Sequence, residues 1–370
     1  MQQLASYSPE LVKSALERLL EPIGGISACV KPGERVLIKP NMLSAKAPER
    51  AVTTHPEILR GVISLVQGAG GKALVGDSPG IGSFLKVAEQ SGIMQVVQES
   101  GAELVEFVES RSVAANGIFK RFEISEAYLT ADRVINIPKL KTHEMMTMTC
   151  AVKNLFGTVI GARKAAWHLK AGADRELFAR LLLEIYLLRP PDLNIVDAVV
   201  AMEGDGPGSG DPREVGLLLA GGNAVAVDMI AAEVVGIPKK LLYLERMAQI
   251  MDLEGSDRGM IRTVGSDLDL VQVSGFRLPH ISDVQFGIPA FLKNRLRHYL
   301  TSRPCVIPEK CRLCGICVNA CPPEAIKVKG GKLVFDYHAC IRCFCCRELC
   351  PDAALDVREG TLSKIIKKFI

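Results

Sequence analysis

Ten of the twelve cysteines fall between residues 305 and 350, and eight of these stand in two copies of one spacing. Cys311, Cys314, Cys317 and Cys321 are followed by Pro322; Cys340, Cys343, Cys346 and Cys350 are followed by Pro351. Each copy reads C-x2-C-x2-C-x3-C-P, a run in which three thiolates grip one 4Fe-4S cubane and the fourth reaches across to a second. The spacing therefore predicts two clusters: Cys311, Cys314, Cys317 and Cys350 around one, Cys340, Cys343, Cys346 and Cys321 around the other. Paired C-x2-C motifs can hold zinc, but a compact run repeated in register favours clusters. Thiolate-held clusters span potentials of about −700 to +450 mV, so electron transfer is implied and its direction is open.

The repeat extends beyond the ligands. A shift of 29 residues lays cysteine on cysteine, proline on proline, Ile326 on Leu355 and Val328 on Val357. "KVKGGKLVFD" supplies a hairpin turning at Gly330-Gly331. So small a unit must take much of its folding energy from metal ligation. Cys345, opposite Ile316 in the repeat, reads as packing; Cys305, Cys29 and Cys150 read as incidental or buried thiols. Cysteines gathered this way, instead of spread into bridges, point to a reducing, low-oxygen interior.

About three hundred residues precede this unit and must position it. The chain has 370 residues, 48% hydrophobic and 5% aromatic, with 33 glycines and 20 prolines, the profile of a loop-rich α/β protein of more than one domain. From residue 30 to 238 apolar strands alternate with helical patterns: "RVLIKP", "KALVGD", "RVINIP", "NIVDAVVAM" and "EVGLLLA" as strands, "HPEILRGVISLVQGAG", "FLKVAEQSG", "DRELFARLLLEIYLL" and "AVAVDMIAAEVVG" as helices. This predicts a mostly parallel sheet with helices on both faces, followed by a small α+β two-cluster domain. The boundaries read as 1–299, 300–358 and a C-terminal helix over 359–370, with "FGIPAFLKNRLRHYLTSRP" a basic connecting helix ended by Pro304.

Ligands of parallel sheets bind beyond the carboxyl ends of the strands. Lys39 and Asn41 follow the first strand, and Asp77, Ser78 and Gly80 the second. Lys139, Lys141 and His143 follow the third, and "MEGDGPGSGDP", with Asp205, the fourth. With Lys153, and Lys164 beside it, the lysines suggest a cationic rim for a small carboxylate or phosphate; a solvated lysine face is the alternative. "GDSPGIGS" can cradle an anion through free backbone N–H groups, though it is neither a Walker nor a dinucleotide fingerprint. His143, in a charged turn with a near-neutral pKa, is the first choice for proton transfer, with Lys141 beside it and His168 second. The methionines of "HEMMTMTC" read as core packing.

The charge of +4 balances 45 basic against 41 acidic groups, which argues against a nucleic-acid groove. The N-terminus reads as an amphipathic helix opening at Ser8 and Pro9, not as a leader peptide. The apolar stretch "VGLLLAGGNAVAVDMIAAEVVGI" is broken by glycine and acids, so no stable membrane insertion is expected and the cytoplasm is the expected location.

The segments "VLIKPNML", "THPEILRGVISLVQGAGGKALVGDSPG", "VINIPKLKTHEMMTMTCAVKNLFG" and "NIVDAVVAMEGDGPGSGDP" resemble the iron-sulfur-centre proteins that carry the domain of unknown function 362, over roughly residues 30 to 240. The cysteine repeat looks like the bacterial two-cluster ferredoxin domain often joined to them. The resemblance implies prokaryotic redox metabolism and no agreed reaction, and it assigns no site residue. Two readings stay open. One is an oxidoreductase acting on a small anionic metabolite at the rim. The other is a carrier or adaptor serving a redox partner protein, with the larger domain as docking body.

Overall fold

The computed structural model describes residues 1–279 except Ile81, Ala162 and Ala173, then 302–321 and 323–358. The domain boundary at 299, most of the connecting helix and the 359–370 helix lie outside the described residues.

In chain order the strands of the larger part are β1 (Gln2–Gln3), β2 (Arg35–Pro40), β3 (Lys72–Asp77), β4 (Glu103–Glu106), β5 (Ser110–Ala114), β6 (Arg121–Ser125), β7 (Arg133–Ile137), β8 (Lys139–His143), β9 (Thr147–Thr149), β10 (Leu193–Glu203) and β11 (Asp211–Gly221). The main path runs β1-β11-β10-β7-β2-β3-β4. From β10 to β4 the neighbours are parallel, and only β11 and β1 turn antiparallel at one edge. The sheet is thus mostly parallel, as the alternation of strands and helices requires.

Period-2 alternation sorts each strand between two cores. In β2, Val36 and Ile38 enter one core and Leu37 the other; in β3, Ala73 and Val75 oppose Leu74. Helices α1 (Pro9–Leu20), α2 (Pro56–Gly68), α3 (Phe84–Gln90) and α4 (Ile93–Ser100) cover the first face. After α5 (Glu126–Thr130), the second face carries α6 (Ala151–Asn154), α7 (Arg163–Ala171), α8 (Arg175–Leu188), α9 (Ala224–Val234), α10 (Tyr243–Ile250) and α11 (Leu268–Val271). Helix starts follow capping chemistry: Asp174 accepts from Leu177 N before α8, and Asn223 from Ala226 N before α9.

"KLKTH", expected as a polar turn, instead forms β8. It continues β7 past Pro138, pairs with β10 on one side and β9 on the other, and every one of its residues is buried. Polar lettering hid a strand because its charges are satisfied inside the protein. At the other end, Arg303 and Pro304 open a strand, and the helix expected before them falls outside the described residues.

The C-terminal module holds β12 (Arg303–Val306), α12 (Ile316–Asn319), β13 (Ile326–Lys329), β14 (Lys332–Phe335), α13 (Cys345–Glu348) and β15 (Leu355–Arg358). β12 pairs with β15 and β13 with β14. The sequence repeat is also a structural one: the same shift carries β12 to β14, α12 to α13 and β13 to β15. It also matches left-handed backbone positions in pairs, Leu313 with Arg342, Gly315 with Phe344 and Glu324 with Ala353. Gly330 and Gly331 both take positive φ, as a tight two-residue hairpin turn demands.

Phe178 sits fully buried between Phe156 and His168 on α8. Phe178→Ala is expected to destabilise the fold by about 3–5 kcal/mol, read as a lowered denaturant midpoint with unchanged slope.

Candidate functional site

Two groups of four cysteines each line a small cavity in the module. Cys311, Cys314, Cys317 and Cys350 surround one, along with Leu313, Ile316 and Leu333. Cys321, Cys340, Cys343 and Cys346 surround the other, along with Ile326, Ile341 and Phe344. In each set the last cysteine of one half joins three from the other. Cys317, Cys346, Ile326, Leu333 and Leu355 form the module's own core between the cavities.

Backbone donors meet the crossing thiols in matched fashion. Ala325 N donates to Cys321 Sγ at 3.2 Å, and Ala354 N to Cys350 Sγ at 3.2 Å. Such bonds favour thiolate over thiol and are the kind that tune a cluster. Four soft sulfur donors around each cavity have the chemistry that an iron-sulfur cluster requires.

The two cavities differ in setting. Around the first, Cys314 and Leu313 are exposed; around the second, Cys340, Cys343 and Cys346 are all buried. Cys343, with Cys345 next to it, joins the main core of the larger domain. Cys345 is thus a packing residue and lines neither cavity.

Helix α13 seats the module on the strand-end rim. Arg347 pairs with Glu144, next to His143, and its other nitrogen meets Asp205 Oδ1 at 2.5 Å. Glu348 Oε1 lies 3.2 Å from His143 Nε2. The Nδ1 atom of His143 accepts from Met145 N at 3.1 Å and Met146 N at 3.2 Å, which leaves the proton on Nε2, facing Glu348. Although close, His143 Nε2 and Glu348 Oε1 are not aligned as a hydrogen bond, and both are buried without another partner among the described residues. Lys46 Nζ also donates to Pro351 O at 2.8 Å, and Ser209 Oγ to Cys350 O at 3.4 Å.

His143 is therefore no solvated turn residue. Burial, then the nearby Lys153 ammonium, holds its pKa well below the ordinary value, which corrects the near-neutral expectation. His168 is pushed down to about 3 by burial and packs against Phe156 and Phe178. Burial raises the Glu348 carboxyl to about 7.

The predicted rim residues do share one edge of the sheet, but most are partnered inside it. Lys39 Nζ meets Asp77 Oδ1 at 2.7 Å, and Lys139 Nζ meets Asp197 Oδ2 at 2.8 Å and Tyr7 Oη at 2.9 Å. Asp77 Oδ2 accepts from Met42 N. Lys141 Nζ donates to Val52 O at 2.7 Å and Asn41 Oδ1 at 2.8 Å, and a chain of amides continues from it: Asn41 to Asn154, Asn154 to Asn136, Asn136 to Asn194. Lys164 Nζ donates to Ser78 O and Oγ and to Pro79 O, which closes the "GDSPG" turn from within. Gly80 N donates to Leu43 O.

Lys153 is the exception. It sits half-buried near Glu348, His143 and Cys345, and among the described residues its ammonium has no hydrogen-bond partner. Burial lowers its pKa, with Glu348 opposing that shift.

Close approaches explain several glycines. A Cβ at Gly157 would lie 2.2 Å from Asp77 Oδ1, at Gly206 2.4 Å from Thr142 O, and at Gly208 2.8 Å from Glu348 O. The "GDGPGSG" loop is thus a landing surface for β8 and α13. The sequence reading missed Glu144, Arg347 and Glu348. Their one signal was that the second repeat half carries Arg347-Glu348 where the first carries Val318-Asn319.

Removing the cation of a buried pair strands its partner. Lys39→Met is expected to cost about 3–5 kcal/mol, and the double change Lys39→Met, Asp77→Asn less than the sum of the two single changes, by a denaturant double-mutant cycle. The Lys164 pKa is lowered to about 8 by burial, so the folded state penalises its charge below that pH. The penalty is relieved as pH rises from about 8 towards the unfolded value near 10.5. Wild-type stability should therefore gain on Lys164→Met between pH 7.5 and 9.5 (~2 units inside that window), by denaturant midpoints at each pH.

Residues 36–233 match the model of the domain of unknown function DUF362, and residues 304–327 that of a 4Fe-4S binding domain. A thylakoid-associated protein of Synechocystis sp. is 39% identical over 295 residues, covering 80% of this chain and 92% of its own. Among solved structures, the lactate racemase apoprotein of Thermoanaerobacterium thermosaccharolyticum shares 12% identity at a TM-score of 0.41, covering 62% of this chain and 55% of that one. A protein from Thermotoga maritima shares 11% at 0.42, covering 68% and 61%. Among the described residues no helix is long and apolar enough to cross a membrane. The chain belongs to the DUF362 family and carries a 4Fe-4S binding domain behind it.

Proposed function

We propose that the chain is an iron-sulfur electron-transfer protein with two 4Fe-4S clusters, coupled to a redox reaction on a small anionic ligand at the strand-end rim. The lining of two cavities by eight cysteines, four apiece and crossing between the repeat halves, carries this reading. Cys311, Cys314, Cys317 and Cys350 hold one cluster; Cys340, Cys343, Cys346 and Cys321 hold the other. Each cluster supplies the gain or loss of one electron.

Lys153 is the cation available for the ligand, since Lys39, Lys139, Lys141 and Lys164 are committed to internal partners. His143, with its Nε2 proton, and Glu348 flank it and can hold or pass a proton to a bound anion. A protein redox partner meets the module at the exposed Cys314 side. The cytoplasm remains the proposed location.

The internal pairing of those lysines also favours a second reading, a carrier whose larger domain serves as docking body. Isothermal titration of the holoprotein with small carboxylates and inorganic phosphate separates the two. Saturable binding lost in Lys153→Ala supports the rim reaction, and no binding of any of them leaves the carrier.

Iron and acid-labile sulfide counts on anaerobically prepared protein are expected to give eight of each per chain, the content of two cubanes. Cys314→Ala and Cys343→Ala are each expected to lower the count towards four, with loss of one of two reduced-state electron paramagnetic resonance signals. Four of each in the wild type would sink the two-cluster reading.

A further inference from the structure

The repeat makes the halves of the module alike in backbone, yet the larger domain treats them differently. The residues that tie the module down run from Ile341 to Pro351: Ile341, Cys343 and Cys345 in the main core, Arg347 on Glu144 and Asp205, Glu348 against His143, and Pro351 held by Lys46. Arg347 and its Glu144 partner are both buried, whereas Asp205 is half-exposed. Gly208 lets the Glu348 carbonyl approach, and Gly80 lies 4.0 Å, from its ideal Cβ, short of Leu349. At the repeat mates of Arg347 and Glu348 stand Val318 and Asn319, which can form no such ion pairs.

We propose that Arg347 is a positioning residue: its clamp on Glu144 and Asp205 seats the inner thiol cage, Cys321, Cys340, Cys343 and Cys346, against the rim, and this seat makes the two cages unequal. Three of the inner cage's four cysteines are buried, and Cys343 packs into the larger domain's core, whereas Cys314 of the outer cage is exposed. The inference rests on the two-cluster reading.

The test uses the full holoprotein, prepared without oxygen and challenged with an iron chelator, while released iron and the electron paramagnetic resonance signals of the reduced protein are followed together. The wild type is expected to lose iron in two phases of equal amplitude, with rates differing by about tenfold or more. Arg347→Met is expected to accelerate the slow phase alone by about tenfold, Arg347→Lys to restore most of it, and Asp205→Asn, which keeps the buried Glu144 contact, to fall between. A general loss of folding would accelerate both phases in proportion, so that result in Arg347→Met and Asp205→Asn alike overturns the proposal. Release of eight irons in a single wild-type phase overturns the inference alone; a starting content of four overturns the two-cluster reading with it.

Discussion

A charge withdrawn from water must find a partner, and the strand-end rim is built around that requirement. Lys39 with Asp77, Lys139 with Asp197 and Arg347 with Glu144 are ion pairs in which both side chains are nearly or wholly out of solvent. Lys141 solves the same problem with neutral acceptors, passing its hydrogen bond into the Asn41, Asn154, Asn136 and Asn194 chain that runs across the sheet. A pair of this kind tolerates little looseness, because an ion left alone in a low dielectric costs several kcal/mol. The rim thus behaves as one interlocked polar layer, and the module rests on it.

That layer decides which groups remain available for chemistry. Ionised side chains that are already matched gain little from a ligand, since a new anion would have to displace an existing one at comparable distance. Lys153 carries its charge without such a match, next to a histidine whose proton is fixed on one nitrogen by two backbone donors. On the proposed reading, the functional centre is narrower than the row of lysines and lies where the larger domain and the cysteine module meet.

Much of this was legible in the residues and some was not. Five strands and four helices between 30 and 238 could be read because apolar periodicity is a local property, and α2, α8 and α9 fall where their patterns place them, while shorter elements such as β4, β5, β6 and α4 were not read. The cysteine runs could be read because ligation fixes spacing. β8 could not: Lys139, Lys141, Thr142 and His143 look like surface letters, and only the distant Asp197, Asn41 and Glu348 make their burial possible. The same holds for Arg347, whose partners lie about 140 to 200 residues upstream in the chain. Long-range polar pairing leaves no periodic trace.

The module's own repeat has a further consequence. A duplicated electron carrier with matching halves has no intrinsic front or back; turned through its internal pseudo-axis, it would offer the same surface again. Here Arg347 and Glu348, standing where Val318 and Asn319 stand in the other half, remove that equivalence. On the proposed seating, these two side chains, with Ile341, Cys343 and Cys345 packed beside them, give a near-symmetric object a polarity.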